Sequence, residues 1–247
     1  LTQPARVSGT TMAFPPLGWQ RIGLACALFE HNTVFRAAVQ DCARHCDQFI
    51  PGAALIEVLY PADAGSFTTL PTLYAGPIAF SVEYALYELC LFGGCMPAAV
   101  VGHSIGEFVA AIAAGVLLLP TACALVCARS IAMTAFPSPG SMLSVKANPD
   151  AVRATITAAG VAERVYIAAI NGPNTCVLSG DDLSLKRVLS ALPTGTKCTC
   201  VQASHPDHSP WMEPVADALR SEARQLYAAH PPKAPRCLWV SSITGMC

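Results

Sequence analysis

Residues 97 to 107 read PAAVVGHSIGE, an apolar run that closes on a serine held between two glycines. No other stretch limits the possible folds as tightly. Pro97 to Val101 is short, uncharged and ends in two valines, which predicts a buried strand; Gly102 ends it, and a helical pattern begins immediately after Ser104. A serine in the turn of a strand–turn–helix has the setting of a nucleophile elbow, where backbone passes so close that small residues are needed two before and two after it. Gly102 and Gly106 stand at those places. The Ser104 hydroxyl is then presented at the sheet edge beside a helix N-terminus, whose free N–H groups can stabilise an oxyanion.

Composition narrows the setting of such an elbow. A chain of 247 residues, 53% hydrophobic and 13% charged, can bury a sizeable core and favours an alanine-rich α/β domain over a disordered chain. Fifteen Lys and Arg against sixteen Asp and Glu leave a net charge of −1 with no basic run, which argues against a nucleic-acid or anionic-membrane partner. Phe108 to Ala128 carries no charge and is long enough to suggest a membrane span. Gly115 and Pro120 interrupt it, and Leu117-Leu118-Leu119-Pro120-Thr121 reads as one helix ending and the next beginning, so two buried helices are expected. The opening LTQPARVSGTTMAF shows no basic head followed by a long apolar segment, so no signal peptide is expected, and the location implied is cytoplasmic. The chain reads as a domain excised from something longer.

Among twelve cysteines, Cys42/Cys46 and Cys123/Cys127 are spaced for one helical face each, and Cys198 and Cys200 alternate as in a strand. There is no C-x-x-C pair, and His45 beside Cys46 lacks the further ligands that a zinc site needs. Reduced, mostly buried thiols are expected, with no metal.

Helical spacing predicts helices over Phe35 to Phe49 and Pro77 to Phe92. Beyond Pro137-Ser138-Pro139-Gly140 the rhythm changes: strand Met142 to Ala147, helix Pro149 to Ala159, strands Val165 to Ile170 and Thr175 to Ser179, helix Leu183 to Leu192, strand Lys197 to Gln202. That β-α-β-β-α-β order is ferredoxin-like. A helix over Pro214 to Ala229 and an apolar strand over Cys237 to Ser241 follow. The fold class expected is α/β, with a hydrolase-like large subdomain over 1–139 and 204–247 and an inserted ferredoxin-like small subdomain over 140–203.

Ser104 in GHSIGE, a helix ending GVLLL, a second helix carrying Arg129, the stretch AAINGPNTCVLSG, and SHPDHSPWMEP follow one another in an order that resembles the acyltransferase domain of polyketide and fatty-acid synthases, the malonyl-CoA:acyl carrier protein transacylase family. The likeness runs over nearly the whole chain. It implies ping-pong acyl transfer: Ser104 takes a malonyl-type group from coenzyme A as an ester, and the phosphopantetheine thiol of an acyl carrier protein removes it. Acyl-CoA is then a substrate, no bound cofactor is called for, and the partners are the carrier protein and adjacent synthase domains. His208 matches the family's general base, a task that suits an imidazole titrating near neutrality. His205 matches a histidine associated with substrate selection, and His103 one that lines the pocket.

Arg129, twenty-five residues after Ser104, matches the arginine that grips the free carboxylate of malonyl. A planar guanidinium binds that charge bidentately without losing its proton. The oxyanion donors implied are the backbone N–H groups of Ile105 and Leu17. Three positions depart from the family's pattern. Leu17, in FPPLGWQ, replaces a glutamine; Gly76 stands where a glutamine commonly faces the acyl pocket; and Asp207 stands where phenylalanine or serine is usual, so that its carboxylate would repel malonate or pair with Arg129. The family also continues past this point with a further helix and strand. Another acyl specificity, a serine thioesterase or hydrolase, and a catalytically impaired docking domain are the alternatives.

Overall fold

In the computed structural model the described residues are 9–62, 69–136, 140–201 and 205–247. Contacts divide the chain into one unit of Leu1–Thr134 with Leu219–Cys247 and a second of Ala135–Ala218.

The first unit opens with strand β1 (Thr10–Phe14). Helices α1 (Cys26–His31) and α2 (Thr33–Cys46) meet at Asn32, which is extended and caps the second, its Oδ1 accepting from the Phe35 N–H at 2.9 Å. α2 buries Phe35, Val39, Cys42 and Cys46 on one face. It ends three residues before the expected Phe49, and the Asp47 carboxylate beyond it accepts from the Leu55 N–H at 2.8 Å, where α3 (Leu55–Leu59) begins.

The next helix, α4, runs Thr72–Phe92, so Pro77 lies inside it rather than at its start. Pro71, extended at the N-cap, sets the beginning, and the bond lost at Pro77 falls in the second turn. Strand β2 (Pro97–Gly102) leads into α5 (Gly106–Ala113) and then α6 (Leu119–Ala135). The uncharged run is therefore two helices. Gly115, at φ +77°, ends the first: its N–H bonds Ile112 O and the Val116 N–H returns to Ala111 O, each at 2.8 Å, closing a Schellman motif. No described helix is long and apolar enough to cross a membrane.

The second unit holds β3 (Gly140–Val145), α7 (Pro149–Ala158), β4 (Val165–Gly172), β5 (Thr175–Asp181), α8 (Asp182–Ala191) and β6 (Cys198–Val201). Asn148 and Asp181 cap the two helices through their side-chain oxygens. The sheet order is β4-β5-β3-β6 with every pair antiparallel, the ferredoxin-like arrangement. Leu143, Val145, Val152, Leu178, Leu185 and Val188 form its core.

Contacts extend this unit to 135–218, so the segment expected to rejoin the large subdomain at 204 groups with the small one as far as Ala218. Trp211 supplies a physical reason: its indole N–H donates to Arg164 O at 3.1 Å, and the Arg164 guanidinium lies 5.2 Å from the ring centre. Pro137, Ser138 and Pro139 of the expected entrance, and Gln202 of the expected last strand, lie outside the described residues.

The chain continues through a single 3-10 turn into α9 (Glu213–Ala229) and β7 (Leu238–Val240). The sheet of the first unit is β1-β2-β7, all parallel, with β2 central and Val100 opposite Met12 and Trp239. The elbow thus leaves the carboxyl end of the central strand, where open parallel sheets place their ligands. The cysteines are free thiols, and Cys123 and Cys127 of α6 bring their sulfurs 4.0 and 3.8 Å from the carbonyls of Cys42 and Cys46 on α2.

Candidate active site

Ser104 takes φ 56°, left-handed for a residue with a side chain, a conformation that costs of order 1–3 kcal/mol and persists where its surroundings enforce it. The enforcement is visible. The His103 N–H donates to Phe14 O at 2.9 Å, fastening the elbow to the end of β1, while the Gly106 and Glu107 N–H groups return to His103 O and Ser104 O at 3.1 Å each.

Both glycines are required for room, since neither has a positive φ. A Cβ on Gly102 would run into the Gly106–Glu107 backbone, and one on Gly106 would come within 2.7 Å of the Phe14 carbonyl carbon and 2.8 Å of Pro15 O. The glycine–serine–glycine pattern is thus a crossing of three backbone segments at one serine, which is itself half-buried.

Ile105 follows as the N-cap of α5 and has no side-chain cap. Among the described residues, neither its N–H nor that of Leu17 donates to another backbone carbonyl. Leu17 is half-buried and packs on the large core. Glu107, in the first turn of α5, takes three hydrogen bonds: from Trp239 Nε1 at 3.0 Å, from Ser242 Oγ at 2.6 Å and from the Ser242 N–H at 3.3 Å. This carboxylate ties β7 and the turn after it to the elbow. No local pattern marks Glu107 for this role, although it is the charged residue that closes the elbow before the long uncharged run.

Arg129 lies half-buried on α6 and Gly76 on the second turn of α4. A Cβ on Gly76 would lie 2.7 Å from Ser130 Oγ and 3.7 Å from Ile105 Cδ1, so the position expected to face an acyl pocket abuts the elbow residue and the neighbour of Arg129. About two turns further along α4, Glu83 is 4% exposed and neither carboxylate oxygen has a hydrogen-bond partner among the described residues. Burial pushes its carboxyl up to about 8. Periodicity hid this residue among its apolar neighbours.

Ser104, His103, Ile105, Leu17, Gly76 and Arg129 belong to the first unit, and His205, Asp207 and His208 to the second. His205 is buried, with Nε2 3.2 Å from Phe136 O and its ring stacked on Phe136 at 6.3 Å. Asp207 is half-buried. His208 is exposed and, like Ser104, is held at positive φ, 57°. No cluster of three His, Cys, Asp or Glu among the described residues is placed to hold a metal.

The model of the acyl transferase domain matches residues 11–244. A phenolphthiocerol synthesis polyketide synthase type I of Mycobacterium marinum is 36% identical over 98% of this chain, which spans 11% of that relative's length. The crystal structure of the acyltransferase domain from the second module of the salinomycin polyketide synthase superposes with TM-score 0.83 at 37% identity, covering 96% of this chain and 53% of that one. The malonyl-CoA:ACP transacylase of Synechocystis gives TM-score 0.77 at 25% identity, covering 95% and 74%. With an α/β fold of hydrolase-like and ferredoxin-like parts and a family match over nearly its full length, the chain belongs to the acyl transferase domain family.

Proposed function

We propose that this chain is the acyl-loading domain of a polyketide synthase, moving a malonyl-type group from coenzyme A through a Ser104 ester to the phosphopantetheine thiol of an acyl carrier protein. The observation that carries the reading is Ser104 at φ 56° between two close-packed glycines at the end of the central strand, a strained turn that a merely structural serine has no need of.

In the first half-reaction His208 takes the Ser104 proton as Oγ bonds to the thioester carbonyl carbon. The carbon–sulfur bond then breaks, and the proton passes to the departing coenzyme A thiolate. In the second, His208 takes the proton of the carrier thiol, the sulfur attacks the ester carbonyl, and Ser104 leaves as its alcohol. The N–H groups of Ile105 and Leu17 receive the charge that develops on the carbonyl oxygen, and their freedom from other described backbone acceptors suits them to it. Arg129 binds the free carboxylate of the acyl group, while His205 and His103 shape the pocket.

Another acyl specificity within the same chemistry has its own support. Gly76 leaves no side chain at its own position on α4, and Asp207 adds a carboxylate to the segment that carries His208.

The experiment is intact-protein mass after incubation with malonyl-CoA. The expected result is one malonyl adduct, absent in Ser104→Ala and discharged by a phosphopantetheinylated carrier protein faster than by water. An adduct that survives Ser104→Ala overturns the nucleophile assignment. Discharge by water at the carrier's rate makes the protein a hydrolase.

A further inference from the structure

His208, the proposed general base, is exposed and stands at φ 57°, a conformation that a residue with a side chain keeps only where its neighbours impose it. The segment just after it does the imposing. The Ser209 hydroxyl donates back to Pro206 O at 2.6 Å, closing a short loop around Asp207 and His208, and the Met212 N–H returns to Ser209 O at 3.0 Å in the 3-10 turn Pro210–Met212. Local bonds of this kind shape a loop, but they do not fix where it lies.

Trp211, three residues after His208, supplies the fixing. Its indole N–H donates to Arg164 O, and the Arg164 guanidinium lies over the face of its ring, so a single residue holds the indole at its edge and on its face. Arg164 is itself fastened where β4 begins. Its N–H donates to Val161 O at 3.0 Å, its carbonyl oxygen would lie 2.5 Å from a Cβ on Gly180 of β5, and its Nε donates to Asp181 Oδ2 at 2.9 Å. Asp181, 9% exposed, offers its other oxygen to the Ser184 N–H at 3.0 Å as the cap of α8. A continuous set of contacts thus runs from β5 and α8 through Arg164 and Trp211 to the loop that carries His208.

We propose that Arg164 is a positioning residue for His208, holding the imidazole-bearing loop in place on the small unit through Trp211. The inference rests on the reading of His208 as the base, and it assigns the base a support outside its own segment. Arg164 is more than half exposed and its ion pair with Asp181 is a surface one, worth little to stability, so its side chain can be removed with the fold retained.

The test is the rate of Ser104 ester formation, followed by rapid-quench intact mass across thioester concentrations, from whichever of malonyl-, methylmalonyl-, propionyl- and acetyl-CoA loads best. Wild type is compared with Arg164→Ala, Arg164→Lys, Trp211→Phe and Trp211→Ala, each also made in a His208→Ala background, with circular dichroism as the check on folding. Arg164→Ala is expected to lower the maximal rate about threefold and Trp211→Ala about tenfold, with the half-saturating thioester concentration unchanged, because only the placing of the base is disturbed. Arg164→Lys keeps a cation over the ring and Trp211→Phe keeps a ring under the cation, so each is expected to retain part of what the alanine variant loses. In the His208→Ala background the slow residual rate is expected to be the same with and without Arg164→Ala, since a residue that acts through the base has nothing to act through once the base is gone.

A maximal rate unmoved by both Arg164→Ala and Trp211→Ala overturns the inference and leaves the transferase reading intact. So does an equal fall in the two backgrounds, which would assign Arg164 to the body of the small unit. A His208→Ala variant as fast as wild type overturns the base assignment and this inference with it, and a wild-type chain that takes no acyl group from any of the four thioesters overturns the transferase reading as well.

Discussion

Gly106 lies with its Cα against the main chain of Phe14: a Cβ built on it would sit 2.7 Å from the Phe14 carbonyl carbon. The obstacle is backbone, which cannot rotate aside as a side chain can. Gly106→Ala is therefore expected to separate α5 from β1, break the 2.9 Å bond from the His103 N–H to Phe14 O, and cost about 3 kcal/mol. Urea unfolding checks the stability, and loss of acyl-enzyme formation checks the elbow. A variant as stable as wild type would mean that the two segments do not pack this closely.

Strain at Ser104 predicts that the proposed nucleophile is bought with stability. At φ 56° a glycine carries no Cβ penalty, whereas an alanine carries the same one as serine. Ser104→Gly is expected to be more stable than Ser104→Ala by about 1 kcal/mol, net of the extra chain entropy that glycine loses. Both variants are expected to form no ester. The comparison needs only two denaturation curves, and equal midpoints would remove the claim of stored strain.

The strand before Ser104, the close glycines and the β-α-β-β-α-β unit were legible in the sequence because each is a local pattern. Val100 and Val101 announce a strand, Gly102 and Gly106 announce crowding, and alternating apolar runs announce the small sheet. What was not legible depends on contacts distant along the chain. β1 was missed because TTMAF is too short to show a period and forms a strand by pairing with β2 far downstream. Local rules make Pro77 a helix start, yet packing carries α4 through it. Glu107 looked like an ordinary first-turn acid, and its partners Trp239 and Ser242 lie more than 130 residues on. Gly76 departs from the family's pattern, but the contact it makes with Ser130 of α6 carries no sequence signal.

Glu83 predicts a slope in stability with pH. Its carboxyl is held protonated by burial up to about 8, against an ordinary value of 4.5. The folded state therefore keeps a proton that the unfolded chain has already released, so the stability is complete below pH 4.5 and falls as pH rises toward 8, where both states are ionised and the loss levels off. The slope is at most about 1.4 kcal/mol per pH unit. Glu83→Gln has no proton to lose. Its advantage over wild type is expected to grow from pH 5 to pH 8 in urea unfolding, and two curves that run parallel across that window would show that Glu83 is not carried neutral.

Removal of Arg129 tests the proposed recognition of the acyl carboxylate apart from acyl transfer itself. On the proposed reading the carboxylate of a malonyl group leaves water to reach the half-buried Arg129 on α6, and the guanidinium would replace that hydration with charged hydrogen bonds. Acetyl has no such group. Arg129→Ala is expected to reduce malonyl loading by about 2–4 kcal/mol of transition-state stabilisation while leaving acetyl loading nearly unchanged, so that the selectivity inverts or flattens. Arg129→Lys retains the charge but not the planar fork, and is expected to recover only part of the loss. The measurement is kcat/KM for ester formation from the two thioesters, with both variants checked for an intact fold by circular dichroism. An equal fall for malonyl and acetyl would assign Arg129 to the structure of α6 and would leave the acyl carboxylate to be held by another group.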